Sequence, residues 1–213
     1  MPAPAPRKLL LPVLLLLLLV EYSPSFKVPF QYDDRNLVTE NQGLIHGVSW
    51  SDRLLTQSGN RPVFMLSFYL NYLAAGSDPL LYHVVNLLLH GGNVLLWYAI
   101  LCRVGCLAGR PGWVLGMGWG VALWALHPGL VNSVTFLSSR ATLLAAFFLL
   151  LSFRCWLGRH YLVAWLAFLP ALASKETAWV YPAWLVLWTW YERRALSGPR
   201  APGPRAIGPL AAV

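Results

Sequence analysis

The chain has 213 residues, of which 57% are hydrophobic, 14% aromatic and 11% charged, with a mean hydropathy of +0.55. That is too apolar for a soluble domain of ordinary composition and places the chain in a bilayer. The formal net charge of +8 would suit nucleic acid, but Lys and Arg stand apart between long apolar stretches and build no basic patch. Nucleic acid is therefore excluded as a partner, and the charge reads as membrane topology. Cys102, Cys106 and Cys155 lack the paired spacing of zinc or redox motifs and are read as packing thiols.

In chain order, the first apolar segment is the Leu-rich run from Leu9 to Val20, which follows Arg7 and Lys8. A signal peptide has an apolar region of this length, but Glu21-Tyr22-Ser23-Pro24 offers no small-residue cleavage site, so a retained anchor is favoured. Residues 21–79 form a long outer loop, whose second half, from Arg61 to Gly76, is expected to lie on the membrane surface as an amphipathic helix. Such a helix brings Phe64, Phe68 and either Leu70 or Asn71 to one side. Further spans are expected over Leu80 to Leu101, Trp113 to Leu126, Ala141 to Phe153, Tyr161 to Ala173 and Trp179 to Trp190. The fold class is thus all-α, a polytopic membrane protein of about six transmembrane helices over residues 1–194, with a flexible Pro/Gly-rich tail at 195–213.

Loop charge supports this topology. With the N-terminus inside, Arg7, Lys8, Arg103, Arg110, Arg154, Arg159, Arg193, Arg194, Arg200 and Arg205 share the inner side with Glu192 as its one acid, a net of +9. The outer side nets −1, which reproduces the total of +8 and follows the positive-inside rule with both termini cytoplasmic.

The outer side also carries the candidate chemistry. Asp33-Asp34 follow the first span, where two adjacent carboxylates near a low-dielectric boundary can raise one another's proton affinity and accept a proton or hold a divalent cation. An ordinary acidic loop or an Asp cap is the plainer reading of the same pair. His127 and Arg140 bracket a short outer loop, and Lys175-Glu176 occupy the next one. Their cationic groups suit a lipid phosphate, although Arg140 alone also reads as an interface anchor and Lys175-Glu176 as a local ion pair. His83, Asn86, His90 and Asn93 form a polar stripe on the second span, which must face protein or water; hydrogen bonding to neighbouring helices is favoured over catalysis. Gly91-Gly92 would admit a close neighbour, and Gly112, Gly116, Gly118 and Gly120 contain a Gly-x-x-x-Gly spacing that favours helix packing. No phosphate loop, dinucleotide fingerprint or zinc motif occurs, and no cofactor is assigned.

The strings YDDRNLVTEN (Tyr32 to Asn41), RPVFMLSFYLNYLAAGSDPLLYHVVNLLLHGGNVLL (Arg61 to Leu96), ALHPGLVNSVTFLSSRATLLAAFFLL (Ala125 to Leu150) and ALASKETA (Ala171 to Ala178) occur in this order. They resemble the N-terminal membrane part of the GT-C glycosyltransferases, closest to the transmembrane and tetratricopeptide-repeat O-mannosyltransferase group and its bacterial relatives. The resemblance implies a partial GT-C-like architecture. It also implies transfer of a sugar from a polyprenyl-phosphate carrier to an acceptor hydroxyl on the outer face. The acidic catalytic role would fall on Asp33 or Asp34, with Arg140 and Lys175 near the lipid phosphate.

Where the family's second acidic motif has Glu and Asp, this chain has Asn132 and Thr142. That departure sets up the alternative expectation of a catalytically inactive relative serving as a structural subunit with a membrane-protein partner. A small transporter would account for the polar stripe, but no inverted repeat is evident. The expected bilayer is a bacterial inner membrane.

Overall fold

The first helix, α1 (Ala5–Tyr22), continues past the Leu run until Pro24 opens a 3-10 turn, Ser23–Lys27, in which the Ser25 hydroxyl donates to the Tyr22 carbonyl at 2.7 Å. The structure is a computed structural model that describes residues 5–41, 61–108 and 113–195. The tail expected at 195–213 lies, but for its first residue, outside the described residues, as does the middle of the long outer loop. A short helix, α2 (Asp33–Leu37), follows α1, and α3 (Pro62–Ala75) begins on Pro62 and ends at Gly76 with φ 56°, a conformation that glycine adopts without strain. The long α4 (Pro79–Leu107) is capped by Asp78, whose Oδ1 accepts the Leu80 N–H at 3.0 Å, with Pro79 in the first turn.

Next comes α5 (Val114–Ala125), stopped where Pro128 holds His127 extended, followed by the short α6 (Val131–Thr135) and by α7 (Arg140–Leu157). Gly158, Arg159 and His160 turn the chain into α8 (Tyr161–Leu172), and a 3-10 turn, Glu176–Val180, leads into α9 (Tyr181–Ala195). The nine α-helices found among the described residues make the protein all-α.

Three stretches are long and apolar enough to cross a bilayer by length and composition: Leu9–Lys27, Pro79–Leu107 and Leu137–Leu157. The count of six expected from sequence is thus met at full length by half of its candidates. The reason is geometric, since the 12-residue helices α5 and α8 rise about 18 Å against a hydrocarbon layer about 30 Å thick. The helix at 62–75 does not separate polar from apolar faces. Phe64, Met65, Phe68 and Asn71 are buried, while Leu66, Leu70 and Leu73 are exposed, so both sides are largely apolar and Asn71, not Leu70, joins the buried side.

Contacts fix the helix directions. In α4 and α7, Tyr82 packs with Ala141 and Leu144, and Ile100 with Phe153 and Leu157, so the two helices run parallel. α1 runs against α4: Tyr22 meets His90 edge-on, and Leu15 lies over Gly91. α8 returns along α7, joined by the Ser152 hydroxyl donating to the Ala164 carbonyl at 2.7 Å, and α9 runs back down beside Phe153. Arg103, Arg154, Arg159, Arg193 and Arg194 therefore gather at one end, whereas Asp33, Asp34, Glu40, Asp78 and Glu176 lie at the other.

Small residues set the closest approaches. A Cβ on Gly92 would stand 2.9 Å from Phe147, while one on Gly118 would collide with the Leu10 side chain. Gly116 and Gly120 border open space, so the Gly-x-x-x-Gly spacing is not the contact face among the described residues. Gly92→Ala is therefore expected to lower stability by about 1–3 kcal/mol through overpacking against α7, and Gly116→Ala to leave it unchanged or raise it. Thermal unfolding of both variants in the same detergent distinguishes them.

Candidate functional site

The end of the bundle opposite the arginines is organised by α4. Each member of its polar stripe is buried and reaches a different segment, because residues three and four apart share one helix face. The ring of His83 contacts the Val28 carbonyl through Nε2 at 3.0 Å, and that of His90 contacts the Ala125 carbonyl at 3.1 Å. The Asn93 amide donates to the Leu143 carbonyl at 3.2 Å. Asn86 donates to the carbonyls of Val134 and Phe136 at 3.1 and 3.3 Å, and its Oδ1 accepts from Arg140 Nε at 2.7 Å. The stripe thus ties α4 to the segment after the 3-10 turn that follows α1, to α5, to the loop before α7 and to α7 itself.

Arg140, the first residue of α7, is 0% exposed. Besides Asn86, its guanidinium donates to the Asn71 side chain at 2.6 Å, to the Tyr82 carbonyl at 2.9 Å and to the Ser67 carbonyl at 3.3 Å. Its carbon lies 4.4 Å from the centre of the Phe68 ring and 5.6 Å from that of Tyr82. The expected phosphate contact thus stands behind a complete cage of protein acceptors and aromatic faces in this structure. Among the described residues, carbonyl dipoles and ring faces, not a carboxylate within ion-pair distance, compensate its charge.

The two adjacent aspartates separate by burial. Asp34 is 3% exposed, and its carboxylate accepts the backbone N–H of Ser138 at 2.7 Å and of Leu137 at 3.3 Å. It closes the turn that delivers Arg140 into its cage. Asp33 is exposed, and its carboxylate makes no hydrogen bond among the described residues.

A cavity of about 380 Å³ lies beside Asp34, lined by it and by Glu21, Tyr22, Gln31, His83 and Thr135, among others; Asp33 is not part of its lining. Glu21 Oε2, the Tyr22 hydroxyl and His83 Nδ1 are buried without partners among the described residues. Since His83 Nε2 points at a carbonyl and must carry the proton, Nδ1 presents a lone pair. The residues that line the cavity thus carry two unsatisfied acceptors and one unsatisfied hydroxyl, that of Tyr22. Glu21 was missed as a site residue in the sequence; its one signal is a carboxylate at the end of an otherwise apolar helix.

The remaining candidates spread along the same end. His127 is exposed, and its Nδ1 accepts the Gly129 N–H at 3.0 Å, which closes the turn after α5. Lys175 is half-buried and donates to the Thr142 hydroxyl at 2.7 Å. Glu176 is bridged twice by Arg61, at 2.7 and 2.9 Å, and those bonds hold its carboxyl below the usual range. Lys175 and Glu176 thus serve different neighbours. Among the described residues no three His, Cys, Asp or Glu side chains stand close enough to hold a metal ion.

Fold and site together define a multi-pass, all-α membrane protein with an acid-lined cavity at one end of its bundle. Comparison gives the family: the chain is homologous to the GT-C-like O-mannosyltransferases of the TMTC group. It is 36% identical over 151 residues to Protein O-mannosyl-transferase tmtc2 of Xenopus laevis, covering 65% of this chain and 17% of that protein. Identity is 34% over 178 residues to Protein O-mannosyl-transferase Tmtc1 of Drosophila melanogaster (75% and 20%) and 32% over 148 residues to human Protein O-mannosyl-transferase TMTC2 (64% and 17%). The match with these curated relatives spans about a fifth of their length. No family model and no solved structure matches the chain.

The cage makes a quantitative statement about Arg140. Replacing it by Gln strands the Asn71 and Asn86 side chains and two carbonyls, and is expected to cost about 3–5 kcal/mol, whereas Lys175→Gln should cost about 1 kcal/mol or less. Denaturant unfolding in detergent measures the difference.

Proposed function

We propose that the cavity end of the bundle takes part in transfer of a sugar from a polyprenyl-phosphate carrier to an acceptor hydroxyl. What supports this reading most directly is the carboxylate of Asp34 accepting the N–H groups of Leu137 and Ser138. That contact joins the two segments that carry the likeness and leaves the neighbouring Asp33 exposed, its carboxylate without a hydrogen bond among the described residues. Asp33 is then the base and Asp34 the residue that positions it. In the inverting step, the acceptor oxygen attacks the anomeric carbon while its proton passes to Asp33. The bond from that carbon to the phosphate oxygen breaks, and the carrier phosphate leaves with the electron pair.

Lys175 is the candidate phosphate contact, because its ammonium uses one of its donors on Thr142 and retains others. Arg140 acts through position, by fixing the start of α7. The alternation of helix directions supports six spans, with the shorter helices completed by interfacial residues, and the gathered arginines support a cytoplasmic side at that end. Relatives drawn from animals favour a eukaryotic membrane over the bacterial inner membrane expected from sequence.

A structural-subunit reading is favoured by a different observation. Thr142, where the family has an acid, is already engaged by Lys175. Transfer from a lipid-linked sugar by the purified protein separates the two readings. Asp33→Asn is expected to lower transfer about a hundredfold or more at unchanged stability, and Asp34→Asn to reduce both transfer and stability. Transfer by Asp33→Asn at the wild-type rate would refute the assigned base, and absence of transfer by the wild type with every carrier tried would leave the subunit reading standing.

A further inference from the structure

The opposite end of the bundle holds a second cavity, of about 470 Å³, between the start of α8 and the end of α9. Trp156, Arg159, Tyr161, Trp165, Glu192 and Arg193 contribute to its walls. Trp156 packs edge-on against both Tyr161 and Trp165, at 4.9 and 6.2 Å between ring centres. Arg159 is held by its backbone, which turns through φ 65° after α7, and its guanidinium divides between two partners. It donates to the Tyr161 hydroxyl at 3.0 Å and to the Glu192 carboxylate.

The groups left to be satisfied here are donors. Trp156 Nε1 is buried with no acceptor. Tyr161 accepts from Arg159, which leaves its own O–H to be donated. The exposed Arg193 adds a cation that Glu192, already paired with Arg159, does not compensate. A neutral N–H, a hydroxyl and a guanidinium around one space call for an anion with several acceptor oxygens, and a phosphate meets that demand.

The surroundings choose the source of the phosphate. The cavity lies where α7 ends and where α8 and α9 begin to show apolar surface: Leu162 and Leu166 are exposed on α8, and Val186, Leu187 and Trp190 on α9. A headgroup seated between Arg159 and Arg193 would place its acyl chains along these side chains. Trp and Tyr beside the cavity suit the interfacial layer, and Arg194, 4.6 Å over the Trp190 ring, adds positive potential.

We infer that this cavity, bounded by Trp156, Tyr161, Arg159 and Arg193, binds the phosphate of an anionic phospholipid in the leaflet at the arginine-rich end. Nothing in the sugar-transfer reading requires it, and it stands whether or not the chain is an enzyme.

The test uses the full chain, purified in detergent and equilibrated with mixed micelles of phosphatidylglycerol and phosphatidylcholine, with the retained lipids measured by mass spectrometry. Wild-type protein is expected to retain phosphatidylglycerol about tenfold above its share of the mixture. Arg193→Gln should lower that enrichment about fivefold, as for loss of one basic residue at a membrane surface. Trp156→Phe, which removes the N–H and keeps an aromatic ring, should also lower it, with thermal unfolding unchanged. Millimolar inorganic phosphate should not displace the lipid. Equal enrichment in wild type and Arg193→Gln would overturn the proposal, as would no preference for the anionic lipid in the wild type; displacement by inorganic phosphate would show a soluble-anion site instead. Arg193 makes no hydrogen bond or ion pair among the described residues, so its substitution keeps the test readable even if Arg159→Gln does not fold.

Discussion

A buried guanidinium with no carboxylate partner among the described residues sets the terms for one whole end of this protein. Removing a cation from water costs several kcal/mol, and in a helical membrane bundle no nearby solvent relieves it. Arg140 is tolerable because α3 and α4 each deliver one backbone carbonyl and one asparagine to it, while Phe68 and Tyr82 present ring faces. These acceptors are useful at one arrangement of three helices. A shift of α3 along α4 would strand the charge, so the cage selects a register as well as contributing energy. Asp34 extends the constraint outward by fixing Leu137 and Ser138, the residues that lead into Arg140.

The same logic explains why so much of the bundle's specificity is polar. Between helices surrounded by lipid, apolar burial has little driving force, and association rests on close packing and hydrogen bonds. The α4 stripe supplies the bonds, each to a backbone carbonyl on a separate segment, and Gly92 supplies the close packing against Phe147. One helix therefore acts as the reference against which α1, α5 and α7 are placed. The cavity beside Asp34 is a consequence, since its floor and walls are positions that α4 has already fixed.

Features carried by spacing or charge were readable in the sequence. The interval of the α4 stripe implied one face, and the alternation of basic and acidic loops anticipated the two chemically distinct ends. Features that depend on which neighbour arrives first were not. Adjacent Asp33 and Asp34 have the same local chemistry, and tertiary contact alone makes one exposed and the other a buried acceptor. Arg140 read as a cation facing a loop because sequence distance says nothing of the helices that enclose it. The glycine pattern misled for a related reason: spacing names a stripe of small residues but not the stripe a neighbour uses, and Leu10 uses Gly118. Glu21 went unrecognised because the cavity it lines is completed by His83 of α4 and by Val131, Thr135 and Phe136, far away in the chain.

The two ends also differ in how their cations are held, and that difference bears on what each end can bind. At the acidic end Arg140 is enclosed, Arg61 is committed to Glu176, and Lys175 leans on a neutral hydroxyl. Of these, Lys175 is the one that can meet an anion without first breaking an ion pair or opening the cage. At the other end Arg159 gives up part of its charge to Glu192, but Arg193 and Arg194 remain exposed beside aromatic rings. Lys27 and Arg35 are exposed at the acidic end as well, so the two ends differ in the partners of their cations and not simply in how many cations are accessible.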